Sequence, residues 1–209
     1  MVIIKRILRI INRNRFLRRF HSVASSAYIP NDIQISVPDN LVMEEGATLD
    51  SDTIILNINS KFILGRYSGA GPRLTVVTGN HMSMIGKYQL AITDEEKKAE
   101  DPQMHFDHDV VVESDVWIGA NVCLLSGVHI GRGAIVAAGA VCRTTIPPYA
   151  IALGNPAKVV GFRFTPQQII EHEILLYSPE ERLQETLIEK NYKRYYLDRL
   201  DDINKFSKI

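Results

Sequence analysis

Residues 115–136 read DVWIGANVCLLSGVHIGRGAIV, and the fold turns on a step of six within them. Aliphatic residues recur six apart at Val112, Ile118, Leu124, Ile130 and Val136. A second ladder stands two residues ahead of the last four, at Val116, Val122, Val128 and Ala134, and continues through Ala140 to Ile146. Gly119 and Gly131 directly follow Ile118 and Ile130, so Ile118-Gly119-x-x-Val122 recurs as Ile130-Gly131-x-x-Ala134. An α-helix turns every ~3.6 residues and tolerates glycine and β-branched residues poorly, so the step of six excludes it. One short strand and one tight turn fit the step. Three such sides close a triangular coil whose successive turns stack at the ordinary inter-strand spacing of ~4.8 Å. Each turn covers its neighbour's edge, which leaves the two ends of the stack to be capped.

The same step runs upstream through Leu64-Gly65-x-x-Ser68, Ala70, Leu74 and Val76, and a fainter copy occupies Leu41 to Asp52. It fails between Val77 and Val110, a stretch holding Gly79, Gly86 and the charge run Asp94-Glu95-Glu96-Lys97-Lys98. That stretch reads as an excursion out of the coil, and loops of such length in compact domains usually carry function. Downstream, Thr165-Pro166-Gln167-Gln168 supplies a capping threonine, a proline at the first helical position and a glutamine at the third, which predicts a helix. Ser178-Pro179-Glu180-Glu181 repeats that grammar and predicts a second helix from about Pro179 toward Tyr195. The expected organisation is a basic arm over 1–27, a β coil over 28–161 with an extended loop at about 79–109, and a helical extension over 162–209 that caps the coil.

Composition sets the outer limits. With 209 residues, 45% hydrophobic and 23% charged, the chain is long enough to bury a sizeable core. It has no apolar run of the ~18–20 residues that span a membrane. Its two cysteines, Cys123 and Cys142, lack the spacing of a zinc or redox pair, which makes a reducing, cytoplasmic setting the simplest inference. The 24 basic and 24 acidic residues balance, but seven of the basic ones stand in the first twenty positions without an acid, so the body is net acidic. Ile3, Ile4, Ile7, Leu8 and Ile11 share one helical face there, opposite Lys5, Arg6, Arg9 and Arg13. Two readings stay open for this arm: a terminal helix docked on protein, or peripheral contact of residues 1–20 with an anionic membrane surface. Nucleic acid is not expected as a partner, because the basic charge is confined to one terminal arm.

Four blocks carry a family resemblance: Asp115 through Val122, Gly127-Val128-His129-Ile130-Gly131, Ile146-Pro147-Pro148-Tyr149-Ala150, and Gly154-Asn155-Pro156-Ala157-Lys158, with Gly79-Asn80-His81 ahead of the excursion. In these the chain resembles the hexapeptide-repeat acyltransferases of left-handed parallel β-helix fold. The segment Ile85-Gly86-Lys87-Tyr88 and the tail opening Phe162-Arg163-Phe164 make it most similar to the capsular or exopolysaccharide O-acetyltransferases. Xenobiotic, galactoside and maltose acetyltransferases stand further off. The left hand departs from the usual crossover rule for parallel strands, so it comes from the resemblance alone.

The resemblance implies an acetyl-CoA-dependent O-acetyltransferase, a homotrimer with its donor groove between subunits, and no catalytic metal. It implies His81 as general base, which suits a reaction that must strip a proton from a hydroxyl. On the donor side it implies Trp117, Ala120, Ser126, Ala138 and Gly139 along the pantetheine arm, with Arg143, Thr144, Lys158 and Arg163 toward the phosphates. Here the chain departs from many relatives, which carry a CoA-binding lysine where Thr144 stands. Asn80, Lys87 and Tyr88 are the candidates for the acceptor hydroxyls.

Two other readings are weighed. His81, His105 and His108 invite comparison with the γ-class carbonic anhydrases, which hold zinc through three histidines on the same coil. His105 and His108 stand closer together than that family's pair, which favours acyl transfer. An inert coil serving as an assembly partner is the other, and His81 speaks against it. Cys123 and Cys142 fall inside the apolar ladders and are expected in the core rather than as acyl-enzyme nucleophiles.

Overall fold

In the computed structural model, which describes residues 16–103 and 106–206, the chain winds round three parallel sheets in turn. The first sheet holds β1 (Ser22–Val23), β3 (Leu41–Met43), β5 (Phe62–Leu64), β8 (Val110–Val112) and β11 (His129–Ile130). The second holds β6 (Gly69–Ala70), β9 (Trp117–Ile118), β12 (Ile135–Val136), β14 (Ala150–Leu153) and β15 (Lys158–Phe162). The third holds β2 (Gln34–Ile35), β4 (Ile54–Leu56), β7 (Thr75–Val77), β10 (Cys123–Leu124) and β13 (Val141–Cys142). The pairs Val111 with His129, Trp117 with Ile135 and Cys123 with Val141 all advance by 18 residues, three sides of six. Earlier turns are looser: Val42 pairs with Ile63 and Gln34 with Ile54. The first strand pair joins Ser22–Val23 to Val42–Met43, so the winding is under way before residue 28.

Both ladders point inward. Ile118, Leu124, Ile130, Val136, Val122, Val128, Ala134 and Ala140 are fully buried in one continuous core. The glycines of the repeat have a steric cause: a Cβ on Gly119 would stand 2.5 Å from the Ala138 nitrogen, and one on Gly65 would stand 2.6 Å from the Glu113 carbonyl carbon. Stacked turns approach so closely at these two corners that the next turn's backbone fills the side-chain space. Cys142 is buried in the ladder and its thiol is pushed up to about 12 by that burial, while burial also raises Cys123. Neither supplies a thiolate near neutral pH.

The ends are closed differently from expectation. Phe20 is buried in the core at the first turn, with Phe16 packed beside it. The arm of residues 1–15, with its amphipathic spacing, lies outside the described residues, as does His105. At the far end β15 turns back antiparallel on β14 and covers that sheet's edge. The first tail helix and the turn after it then run back along the corner between the first and second sheets, while the later helices return to the far end, where Tyr192 packs on Phe162, Tyr195 packs against the core and Phe206 approaches Gly154. From one turn after another, Arg66 pairs with Glu181 at 2.8 Å, Ser114 meets the Tyr177 hydroxyl at 3.2 Å, and Arg132 reaches Glu173 at 3.3 Å. Glu173 is 2% exposed and also accepts from the Tyr149 hydroxyl at 2.5 Å. Burial first, and then this bond, raise the Tyr149 pKa above the ordinary tyrosine range.

The first tail helix, Pro166–Leu176, begins where the sequence places it, with Thr165 and Gln168 forming a reciprocal capping box. The second starts at Glu185 and ends at Tyr195, six residues later than Pro179. Ser178 to Glu181 makes a single turn, closed by Glu181 N–H donating to the Ser178 carbonyl at 2.9 Å. There Arg132 donates to the Glu181 carbonyl and Leu183 N–H donates to the Glu173 carboxylate, and these contacts redirect the chain.

Candidate functional site

Ile63 pairs with Val111 across a gap of 48 residues, so the excursion inserts thirty residues into an 18-residue turn. Its two feet are stapled. His108 N–H donates to the Thr78 carbonyl at 3.1 Å and to the Ser126 hydroxyl at 3.0 Å, and Lys61 N–H donates to the Asp109 carboxylate at 2.7 Å. Asp107 accepts from Asn80 N–H on one oxygen and from the Asn59 side chain on the other, each at 2.7 Å. The Asn80 amide donates in turn to the Phe106 carbonyl. The charge run folds into a short helix, Asp94–Glu100, whose capping box joins Thr93 and Glu96.

Between this helix, the feet of the excursion and the ends of β4 and β7 lies a cleft of about 480 Å³. His81 lines it and makes no side-chain hydrogen bond or ion pair among the described residues. The Asn80–Asp107 bonds fix the backbone immediately before it. Leu56, Ile58, Val77, Met82 and Phe106 form the apolar wall, and Lys97 and Lys98 stand at the rim.

The other candidates distribute over the coil. Asn80 lines the cleft with its amide engaged by the loop; Lys87 is paired with Glu96, and neither Lys87 nor Tyr88 lines the cleft. Ala120, Ala138 and Gly139 stack at the corner between the second and third sheets, where Gly139 N–H donates to the Ala120 carbonyl at 2.9 Å. Trp117 points outward from the adjoining face, 56% exposed. Ser126, Arg143 and Thr144 lie at the next corner, the one the excursion leaves, and Ser126 is occupied by His108 N–H. Lys158 is exposed at the start of β15, beside Arg199 and Lys205. Arg163 is drawn away from a phosphate role: it pairs with Asp115 at 2.7 Å and lies over the Phe164 ring. Among the described residues no three His, Cys, Asp or Glu side chains gather closely enough to hold a metal ion.

Sequence reasoning missed Asp107, the residue that holds both feet of the excursion, because its partners lie 27 and 48 positions away. It also missed the pair of Glu113 and His129, 2.7 Å apart. The bond to Glu113 raises the His129 pKa against the pull of burial. Burial pushes Glu113 upward, but its bonds to His129 and Arg132 N–H outweigh that and hold it low.

Residues 109–144 match the family model for bacterial transferase hexapeptide, six repeats. Over that stretch the chain carries hexapeptide repeats like those of these transferases. A probable macrolide acetyltransferase of Lysinibacillus sphaericus is 36% identical over 118 residues, which are 54% of this chain and 66% of that protein. The chain therefore aligns over a little under two thirds of that relative's length. Among solved structures, a hexapeptide-repeat acetyltransferase of Vibrio cholerae complexed with acetyl coenzyme A superposes with a TM-score of 0.60 at 20% identity, over 73% of this chain and 76% of that one. A maltose O-acetyltransferase from Clostridium difficile gives 0.57 at 24% identity, over 70% and 72%. At such identities the likeness speaks to the fold, and the hexapeptide-repeat domain is a left-handed parallel β-helix with a helical tail.

Proposed function

We propose that the chain transfers an acetyl group from acetyl-CoA to a hydroxyl of a sugar or polysaccharide precursor, with His81 as general base. The observation that carries this reading is the uncommitted imidazole of His81 in a cleft whose neighbouring backbone is held by Asp107. The acceptor oxygen attacks the thioester carbonyl as His81 takes its proton. The tetrahedral adduct expels the CoA sulfur, which recovers that proton from the imidazolium. The step is a direct displacement and needs no acyl-enzyme, in keeping with the protonated state of both thiols.

For the donor, Trp117, Ala120, Ala138 and Gly139 offer a flat wall of small residues beside one aromatic ring, and Arg143 and Lys158 offer exposed cations for its phosphates. That wall lies one corner away from the excursion that bears His81. A homotrimer resolves the separation by setting one chain's wall beside its neighbour's cleft, and its cyclic symmetry repeats the site three times. Residues 1–20 keep both roles, docking on protein or peripheral contact with an anionic inner membrane surface on the cytoplasmic side, and Phe16 and Phe20 at the end of that segment pack on the coil.

A screen of sugars and nucleotide-linked sugars with acetyl-CoA, reading free CoA thiol, tests the reading. Release that depends on a hydroxyl acceptor supports it. Release with amine acceptors alone overturns O-transfer, and release with none, despite bound acetyl-CoA, returns the chain to an inert assembly coil.

A further inference from the structure

The cleft beside His81 has polar groups that are largely spent on one another and apolar groups that are not. Asp107 uses one oxygen on Asn80 N–H and the other on Asn59, Asp101 accepts from Phe106 N–H at 3.0 Å, and Lys97 is paired with Asp94 at 3.0 Å. By contrast Leu56 and Phe106 are each 47% exposed and Ile58 is 68% exposed, three large side chains facing solvent around one cavity. A polyhydroxylated sugar alone would leave that wall wet and would find few free partners among the committed side chains. Exposed apolar clusters of this kind gain from being covered, in proportion to the hydrocarbon laid on them.

We propose that the acceptor is amphiphilic: a sugar whose reacting hydroxyl faces His81 while an attached hydrocarbon group covers Leu56, Ile58 and Phe106. For its chemistry this rests on the acetyl-transfer reading, and its binding geometry rests on Leu56, Ile58 and Phe106 staying uncovered in the trimer. A volume of about 480 Å³ accommodates a sugar ring together with a short alkyl or aryl substituent, within the range of small-molecule sites.

Calorimetric titration of the full chain with hexyl β-glucoside and methyl β-glucoside, both below micelle-forming concentration, separates the two claims. The hexyl compound is expected to bind at least about tenfold more tightly, through its five extra methylenes. Ile58→Ser and Phe106→Ser, both at solvent-facing positions the fold does not depend on, are each expected to remove most of that advantage. His81→Ala is expected to retain it. Equal affinity for the two glucosides, no binding of either, or an advantage undiminished in both variants would overturn the proposal. Selective hexyl binding without CoA release from acetyl-CoA on any acceptor leaves the amphiphile site standing and removes the acetyl-transfer reading instead.

Discussion

Gly119 and His129 illustrate how single positions answer to neighbours a full turn away. A methyl group at Gly119 meets the Ala138 backbone nitrogen at 2.5 Å, and backbone in a stacked coil has nowhere to move. Gly119→Ala is therefore expected to destabilise the fold by about 1–3 kcal/mol, the usual range for overpacking a core, read as a lowered denaturation midpoint. A midpoint within error of wild type would remove the close-approach account of the repeat's glycines. His129 has its pKa raised by Glu113, and Glu113 has its own held low. The histidine's contribution is present below its unfolded pKa and fades as pH rises through its raised folded value. The carboxylate's is present above its unfolded pKa and fades as pH falls through its lowered folded value, so the pair stabilises the fold between these limits. In an NMR titration Glu113→Gln should move the His129 midpoint down; an unmoved midpoint would show that the bond does not form in solution. The place of the glycines after Leu64, Ile118 and Ile130 was legible in the chain. Its cause, and the Glu113–His129 partnership across 16 residues, were not, since both arise between turns.

The elements divide along the same line. A capping box is local grammar, and Thr165 with Gln168 was readable at once. Thr93 with Glu96 was equally local but passed unread, because the acidic and basic run around it resembles a solvated loop. The second tail helix begins late for a reason no local pattern contains: Arg132, 49 positions upstream, captures the Glu181 carbonyl, and Glu173 on the preceding helix accepts from Leu183 N–H. That cluster is what holds the tail along the corner. Glu173→Ala leaves the Arg132 guanidinium without its buried partner and Tyr149 without its acceptor, and a loss of about 3 kcal/mol is expected. Denaturation followed by circular dichroism checks it. Wild-type stability in this variant would mean that the aromatic contacts of the tail, not the carboxylate, hold it down.

At the scale of the molecule, the step of six was enough to read the coil, because each turn stacks on the next and the period is the fold. The path of the tail and the shape of the cleft were not readable, since both are set where distant turns, excursion and helices meet. The proposed donor wall and His81 stand at different corners of the three-sheet coil, and the proposed trimer is the assembly that would join them. Light scattering at micromolar concentration should give three times the 23.6 kDa chain mass; a monomeric mass would sink the shared site. The proposed function rests on His81, which lines the cleft and packs into no core. Turnover of acetyl-CoA by His81→Ala, measured as thiol release with the best acceptor from the screen, is the most direct test. The variant is expected to keep its fold, its mass and its affinity for acetyl-CoA while losing roughly 10²- to 10⁴-fold in kcat, the size of a general-base contribution. It should also lose the fall in rate on the acid side that a protonated imidazole imposes on wild type. A variant that keeps more than about a tenth of wild-type kcat, well short of the general-base range, would contradict His81 as the base.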